Sequence, residues 1–386
     1  MKIIADENMP NAKALFSHLG NVELVNGRTL THEQVKDVDV LLVRSVTKVT
    51  QELLEGSSVR FVGSATIGVD HIDLDYLVKA NIAFSSAPGC NAEAVADYVF
   101  SGLSHLYMTK QFSWLSKKIG VIGYGNVGKT VYDRFSRMGC QVCVYDPLKE
   151  EGDSSANFVS LDEILLCNVI SLHAPLTSLG VYPTKGMIGS KELAQLSAGT
   201  AIISAGRGGV IDEVALLKRH SQLNGDLHLI LDVWDGEPSI NQKLVSIADI
   251  ATPHIAGYSK QGREKGTWMV YQELCRHLEL SSDVISKDVI SKNDAISTGW
   301  FSSIDVDSAV LLEEMLARSI QAIYDVARDD VRLRYKYREN KEKNVFDWLR
   351  KHYVERDELN TCLIRANNND ACNLMGAAGF SVDNKS

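Results

Sequence analysis

A glycine-rich motif between two apolar strands constrains the fold of this chain more than any other feature. The apolar run Ile119–Ile122 leads into Gly123-Tyr-Gly125-Asn126-Val127-Gly128, and apolar residues at helical spacing follow. A second apolar run, Val142–Tyr145, then delivers Asp146. Such glycines permit a tight turn, a close approach of the backbone to a pyrophosphate and close packing of helix on strand. The pattern predicts a dinucleotide-binding βαβ unit in which the start of the helix holds the phosphates.

The acidic residue after the second strand indicates which dinucleotide is bound. Asp146 is placed to accept hydrogen bonds from the ribose hydroxyls and to repel a 2′-phosphate. The motif therefore predicts NAD rather than NADP as the cofactor, and the alternative is a glycine turn without a ligand. The residues expected to bind NAD through this motif are Gly123, Gly125, Asn126, Val127, Gly128 and Asp146.

Length, charge and cysteine content limit the class of protein. A chain of 386 residues is too long for one ordinary domain, and its net charge of −9 argues against general nucleic-acid binding. No apolar run approaches the ~20 residues of a membrane helix. The N-terminus carries charges where a signal peptide would be apolar, and its pattern predicts a first β-strand. The seven dispersed cysteines predict reduced thiols and a cytoplasmic protein. We expect Cys140 and Cys143 to pack in the core and expect no metal site.

Strands and helices alternate along most of the chain. Apolar runs predict strands at 3–5, 22–25, 40–43, 61–63 and 82–84, then near 119–122, 142–145, 169–172, 200–203, 229–232 and 249–251. This alternation predicts two doubly wound α/β units with parallel sheets. Helical patterns at 91–110 and about 261–278 would connect the two units. A polar linker is expected at 281–298, followed by a tail with at least two helices and a strand at 362–364.

Three polar residues follow predicted strands of the second unit, where open parallel sheets bind their ligands. Arg207 stands between glycines, and its guanidinium suits a carboxylate or a polarised carbonyl. Glu237 lies on the turn after Asp232, and His254 follows the last strand. Histidine is the commonest general acid or base, and a paired carboxylate would hold its tautomer. Together they predict an oxidoreductase site, although each alone could be structural.

These segments together resemble the D-2-hydroxyacid dehydrogenase family. The resemblance rests on the glycine motif, on Ser204-Ala-Gly-Arg-Gly-Gly-Val-Ile-Asp-Glu213, on Asp232-Val-Trp-Asp-Gly-Glu-Pro238 and on Thr252-Pro-His-Ile-Ala-Gly257. It implies a flavodoxin-like substrate domain at 1–93 and 258–285 and a Rossmann NAD-binding domain at 94–257. It also implies a C-terminal α+β dimerisation domain at 286–386, and therefore a homodimer.

A finer resemblance lies in the segments Ala5–Pro10, Val43–Thr47, Gly63–His71, Tyr324–Asp330 and Phe346–Arg356. Within the family, these segments are most similar to the branch that oxidises 4-phospho-D-erythronate on the route to pyridoxal 5′-phosphate. This resemblance implies that His254 accepts the C2 hydroxyl proton, that Glu237 orients His254 and that Arg207 binds the carboxylate. It further implies that Asp232 accepts a hydrogen bond from the nicotinamide carboxamide and that Gly257 lies against the cofactor. Ser45, Thr66 and Tyr258 match substrate-contact positions of this branch.

Two departures from the family pattern concern the cofactor and the arginine. Ala174 replaces a threonine, so only a backbone contact to NAD is expected there, and Ala205-Gly206 is smaller than the usual pair. Neither change removes a predicted proton or charge carrier. The alternatives are another dehydrogenase of phosphorylated hydroxy acids, such as 3-phosphoglycerate, and an NAD-sensing corepressor without catalysis.

The segment 328–356 is basic in a chain that is acidic overall. One interpretation is a solvated helix face. The other is that Arg350 or Lys351, supplied by a partner subunit, reaches the substrate phosphate.

Overall fold

The computed structural model describes residues 1–150, 152, 155–280, 295–307, 310–341 and 344–383. It divides the chain into two compact units, Met1–Asn91 with Ser259–Thr298 and Ala92–Tyr258 with Gly299–Ser386. The second unit thus contains both the predicted NAD-binding domain and the predicted C-terminal domain. The predicted boundary at 285–286 and most of the predicted linker 281–298 lie outside the described residues. The division into three domains stays a prediction.

The first unit is built on a five-stranded parallel sheet in the order β2-β1-β3-β4-β5. This is the flavodoxin-like order, in which the chain winds first to one side of β1 and then to the other. Its strands are β1 Lys2–Asp6, β2 Asn21–Val25, β3 Val40–Val43, β4 Phe61–Ser64 and β5 Ala83–Ser85. Its helices are Ala12–Phe16, His32–Val35, Gln51–Leu54, Leu74–Lys79 and Lys260–His277.

The second unit contains a six-stranded parallel sheet in the order β11-β10-β9-β8-β6-β7. Its strands are β6 Lys118–Ile122, β7 Gln141–Tyr145, β8 Val169–Leu172, β9 Thr200–Ser204, β10 Leu227–Leu231 and β11 Ile250–Ala251. Its helices are Ala92–Lys110, Asn126–Arg137, Leu161–Leu165, Ser190–Leu193, Glu213–Gln222 and Gln242–Ile247. All predicted strands of the two units are confirmed. The winding direction reverses between β6 and β8, which defines the topological switch point of a Rossmann-like sheet.

The C-terminal part adds a three-stranded parallel sheet, β12-β13-β14, and helices. Its strands are β12 Ser303–Val306, β13 Leu363–Ala366 and β14 Ser381–Val382. Its helices are Leu312–Ile323, Ala327–Glu339, Val345–Lys351 and Asn369–Ala378, with a 3₁₀ turn at Leu359–Thr361. Only β13 was predicted. β12 alternates polar and apolar residues (Ser-Ile-Asp-Val) and β14 spans two residues, so neither contains an apolar run.

A buried arginine fixes this C-terminal part to the NAD-binding region. Arg134, on the helix Asn126–Arg137, is 1% exposed. Its Nη1 lies 2.7 Å from Asp97 Oδ1 and donates to Ala378 O at 2.9 Å, and its Nη2 pairs with Glu93. Since these partners come from two other helices, one guanidinium cross-links three elements.

The edge of the six-stranded sheet is also covered by the C-terminal part. Asp330 Oδ1 accepts a hydrogen bond from Ala251 N at 2.7 Å, on the edge strand β11. Arg334 donates to Asp330 and to the carbonyls of Val245 and Ala248. The strand end that precedes His254 is therefore held from outside the sheet.

Candidate active site

The glycine motif lies at the switch point of the second sheet. Its loop follows β6, and Gly125 is the N-cap of the helix Asn126–Arg137 without a side-chain hydrogen bond to the first turn. A Cβ placed on Gly125 would meet nothing within 4 Å, whereas one on Gly128 would lie 1.8 Å from Gly123 O. Open space therefore faces the start of the helix while the helix packs closely on the strand. Asn126 is exposed and Val127 half-buried at this end.

Asp146 is held beside the glycine loop by backbone groups. Its Oδ2 accepts a hydrogen bond from Tyr124 N at 2.8 Å, and its Oδ1 accepts one from Leu148 N at 3.1 Å. The carboxylate is half-buried. An anion fixed next to an uncapped helix start suits a nucleotide whose phosphates meet the helix and whose ribose hydroxyls meet the carboxylate.

The end of β8 forms the other side of the switch point. The backbone N of Ala174 lies 2.8 Å from the position that a Cβ on Gly123 would occupy, so its backbone borders the glycine loop. The preceding His173 is buried, with Nε2 2.8 Å from Ser171 Oγ, and burial lowers its pKa to about 3. An uncharged imidazole thus supports this strand end. A cofactor contact of Ala174 remains a prediction.

Arg207 lies on the loop that follows β9. A Cβ on Gly208 would lie 1.8 Å from Trp234 O, so this loop packs directly on the turn after β10. Arg207 is half-buried, and its Nη1 donates to Gly206 O at 2.9 Å. The rest of its guanidinium has no hydrogen-bond partner among the described residues. A fork of donors in this state is suited to bind a carboxylate.

Glu237 and His254 form a hydrogen-bonded pair. Glu237 Oε2 lies 2.8 Å from His254 Nδ1, and Glu237 Oε1 accepts a hydrogen bond from Trp234 N at 2.9 Å. The two side chains are 22% and 28% exposed, so the pair is accessible to a ligand. A carboxylate on Nδ1 favours the tautomer with the proton on that atom. Nε2 is then an acceptor, as a general base requires.

Asp232 determines the path of the chain through His254. Its backbone O accepts from His254 N at 2.8 Å, while Oδ1 and Oδ2 accept from Ile255 N at 2.8 Å and Ala256 N at 2.9 Å. Thr252 Oγ1 also donates to Oδ1. His254 has φ 55°, an uncommon left-handed conformation for a residue with a side chain. Three successive N–H groups bound to one residue compensate for that conformation.

The environment of Asp232 differs from the one expected of a cofactor ligand alone. The side chain is 1% exposed, and burial raises its pKa, an effect opposed by His254, Thr252 and the two backbone N–H groups. The sequence does not predict that Asp232 binds the backbone of residues 254–258, which we call the histidine loop. The interaction with the nicotinamide carboxamide remains a prediction.

The C-terminal part also contacts the same loop. Arg356 is 3% exposed and donates through Nη2 to Ala94 O at 2.9 Å and to Ala256 O at 2.6 Å. Arg350 Nη2 donates to Tyr258 Oη at 3.1 Å. Residues 254–258 are therefore held by Asp232 and by two arginines about one hundred residues away in sequence.

The remaining predicted substrate residues belong to the first unit. Ser45 is exposed just after β3, and Thr66 is half-buried just after β4, at the carboxyl ends of neighbouring strands. Thr66 Oγ1 lies 2.8 Å from Ser64 Oγ, which lies 3.1 Å from His71 Nε2. Their role in substrate binding stays a prediction, as does that of the half-buried Tyr258. The contact of the half-buried Gly257 with the cofactor also stays a prediction.

The described part of the chain lacks a metal-ligand cluster and a membrane-spanning helix. It contains no group of three or more His, Cys, Asp or Glu side chains arranged to hold a metal ion. None of the helices described there combines the length and the apolar character needed to cross a bilayer. Cys140 and Cys143 are both buried and free, in agreement with the predicted packing role.

Two segments of the chain match models of known protein families. Residues 104–256 match the model for the D-isomer specific 2-hydroxyacid dehydrogenase, NAD binding domain, and residues 296–379 match a domain of unknown function, DUF3410. The chain is 79% identical over 385 residues, 100% of both chains, to an erythronate-4-phosphate dehydrogenase of Marinomonas sp. (strain MWYL1). It is 45% identical over 371 residues to one of Marinobacter nauticus, covering 95% of this chain and 94% of the relative.

A solved structure agrees with the fold. NAD⁺-bound 3-phosphoglycerate dehydrogenase of Entamoeba histolytica is 27% identical, with a TM-score of 0.60, over 76% of this chain and 99% of that one. The fold class and the NAD cofactor predicted from the sequence are confirmed by these comparisons.

Proposed function

Because the chain belongs to the erythronate-4-phosphate dehydrogenase family, within the D-isomer specific 2-hydroxyacid dehydrogenases, we propose that it oxidises 4-phospho-D-erythronate to 2-oxo-3-hydroxy-4-phosphobutanoate in pyridoxal 5′-phosphate biosynthesis. The observation that carries this proposal is the Glu237–His254 pair at 2.8 Å, next in the sheet to the loop of Arg207. A proton acceptor and a carboxylate-binding cation at neighbouring strand ends are what oxidation of a 2-hydroxy acid requires.

Each residue has a defined task in this reaction. His254 Nε2 accepts the proton of the C2 hydroxyl, and Glu237 stabilises the imidazolium that results. Arg207 binds the C1 carboxylate and stabilises the oxygen at C2 as the carbonyl forms. Ser45, Thr66 and Tyr258 offer hydroxyl groups suited to a polyhydroxy acid. Asp232 keeps His254 in position through the backbone.

The chain's residues fit NAD. The open, uncapped helix start after Gly125 suits the pyrophosphate, and Asp146 suits the ribose hydroxyls. Gly123, Asn126, Val127, Gly128, Ala174, Asp232 and Gly257 complete the proposed set. Bound NAD⁺ supplies the acceptor for the hydride that leaves C2.

We further propose that the protein acts as a cytoplasmic homodimer through residues 286–386. The resemblance of the tail to the dimerisation domain of this branch supports the dimer. The dispersed free cysteines support the cytoplasmic location. Sedimentation equilibrium of the full chain tests the assembly. A monomer at micromolar concentration would refute the dimer.

The test of the activity is hydride transfer from 4-phospho-D-erythronate, followed by reduced nicotinamide in the wild type and in His254→Ala. The assay includes 2-oxo acids as acceptors, since a retained reduced cofactor would hide turnover. We expect activity in the wild type and a loss of ~100- to 10,000-fold in the variant, the range of general acid–base catalysis. Turnover of 3-phosphoglycerate instead would assign another dehydrogenase activity, and no turnover of either acid would favour a binding protein.

A further inference from the structure

Arg350 is fixed next to the histidine loop by contacts within its own chain. It lies in the last turn of the helix Val345–Lys351, and its Nη2 donates to Tyr258 Oη at 3.1 Å. Its Cζ lies 5.8 Å from the ring centres of Tyr258 and Phe346. Tyr353 meets the Tyr258 ring edge-on, with centroids 5.6 Å apart. Aromatic side chains thus confine the guanidinium close to residue 258.

The guanidinium of Arg350 has fewer hydrogen-bond partners than that of Arg334, on the preceding helix. Arg334 satisfies its N–H groups on Asp330, Val245 O and Ala248 O. Arg350 forms no ion pair with a described carboxylate, and its buried Nε has no hydrogen-bond partner there. A buried, unsatisfied donor on a cation is costly unless a ligand completes it.

The side chains that act electrostatically on Arg350 belong to the candidate site. Burial acts to lower the pKa of Arg350, but its interactions with Tyr258, Glu237 and Asp232 outweigh burial and raise it. The arginine is therefore a permanent cation within electrostatic reach of the carboxylate that pairs with His254. Because Tyr258 Oη accepts from Arg350, its own proton is available for a further acceptor.

We propose that Arg350 of the same subunit binds the phosphate of the substrate, with the Tyr258 hydroxyl as a second donor. This inference rests on the proposed function, whose substrate carries a carboxylate at one end and a phosphate at the other. Arg207 serves the first anion, and a second cation in contact with the histidine loop serves the other. Guanidinium groups match phosphate geometry and form strong charge-assisted hydrogen bonds with it. The C-terminal part thereby contributes to substrate specificity in cis.

The test separates phosphate recognition from a structural role. In Arg350→Met, we expect kcat/KM for 4-phospho-D-erythronate to fall ~100-fold or more, through loss of charge-assisted hydrogen bonds. For unphosphorylated D-erythronate the change should stay within about threefold. Arg350→Lys, which keeps the charge and most of the side chain, should recover part of the loss. Lys341→Met, which removes an exposed cation of the same C-terminal part that pairs with Glu339, is the matched control and should behave as the wild type. Equal losses on both acids, or no loss on either, would overturn the proposal.

A binding measurement keeps this test independent of the substrate assignment. Inorganic phosphate should raise the melting temperature of the NAD-loaded wild type and of Lys341→Met by the same amount. It should raise that of Arg350→Lys less and leave that of Arg350→Met unchanged. If the wild type oxidises a different phosphorylated acid, the proposed function fails while this result still supports the phosphate site. Equal stabilisation of wild type and Arg350→Met, or none in the wild type, would refute the role of Arg350.

Discussion

Replacing Glu237 by glutamine tests how the structure prepares His254 for catalysis. In the wild type, Oε1 accepts from Trp234 N at 2.9 Å and Oε2 faces His254 Nδ1 at 2.8 Å. A glutamine has only one oxygen, and the fixed backbone donor of Trp234 attracts it. The amide NH₂ then donates to Nδ1, which moves the imidazole proton to Nε2. In that tautomer His254 cannot accept the substrate proton.

The cost follows from the two hydrogen bonds. Restoring the productive tautomer requires turning the amide, which leaves Trp234 N opposite an NH₂ group at a cost of about 1–3 kcal/mol. Loss of the charge-assisted bond to the imidazolium adds about 1 kcal/mol, a low value because the pair is partly exposed. The sum of about 2–4 kcal/mol predicts a ~30- to 1000-fold fall in kcat.

The assay is steady-state oxidation of 4-phospho-D-erythronate, with NAD affinity measured separately by quenching of tryptophan fluorescence. Glu213→Gln is the matched control. Glu213 accepts a hydrogen bond at 2.8 Å from the N of Asp235, which lies in the same turn as Glu237, but Glu213 is not hydrogen-bonded to His254. We expect near-normal kcat in the control and unchanged NAD affinity in both variants. A kcat within threefold of the wild type for Glu237→Gln would refute the tautomer argument. An equal loss in both variants would attribute the effect to the turn.

Three further outcomes are expected from other parts of the second unit. Asp146→Asn should lower the preference for NAD over NADP in kcat/KM by ~5- to 100-fold, because repulsion of the 2′-phosphate by a nearby charge amounts to about 1–3 kcal/mol; an unchanged ratio would exclude that role. Arg134→Met should lower the free energy of unfolding in urea by about 3–5 kcal/mol, because it leaves the buried Asp97 without its cation; a loss below about 1 kcal/mol would contradict this. Burial keeps His173 neutral and lowers its pKa to about 3. Its contribution to stability is therefore complete above the ordinary histidine pKa near 6.5 and is lost as the pH falls from 6.5 towards 3. Between pH 7.5 and 5.5 the wild type should lose about 1.4 kcal/mol more than His173→Asn, and parallel urea curves would refute the assignment.

The parts of the fold that the sequence predicts are those with a local signal. Most strands of the two large sheets are short apolar runs, because the inner strands of a parallel sheet are buried on both faces. The glycine loop and Asp146 are separated by one βα unit, so their spacing alone indicates that they meet. Arg207, Glu237 and His254 follow successive strands, and the carboxyl ends of parallel strands share one edge. The topology of the sheet therefore predicts that these three residues lie near one another.

The contacts that sequence reasoning missed join residues far apart in the chain or combine backbone with side chain. Nothing near Asp232 indicates that its carboxylate binds the N–H groups of Ile255 and Ala256, since that depends on how the turn after β11 closes. The sequence marks Arg350 only as part of a basic segment, which is either a solvated helix face or a source of a phosphate ligand for the partner subunit. The bond of Arg350 to Tyr258, 92 residues away, required the packing of the C-terminal part on the sheet.

The histidine loop links the C-terminal part to catalysis. His254 has an uncommon left-handed backbone, which persists only when its surroundings fix it. Asp232 supplies one side of that support, and Arg356 supplies the other through Ala256 O. Arg356 itself is buried and inserted between that loop and Ala94, at the start of the long helix Ala92–Lys110. A domain appended only for assembly would not need a buried cation at this position. The contacts of Arg356 therefore support a role of the C-terminal part in positioning His254 for the proposed reaction.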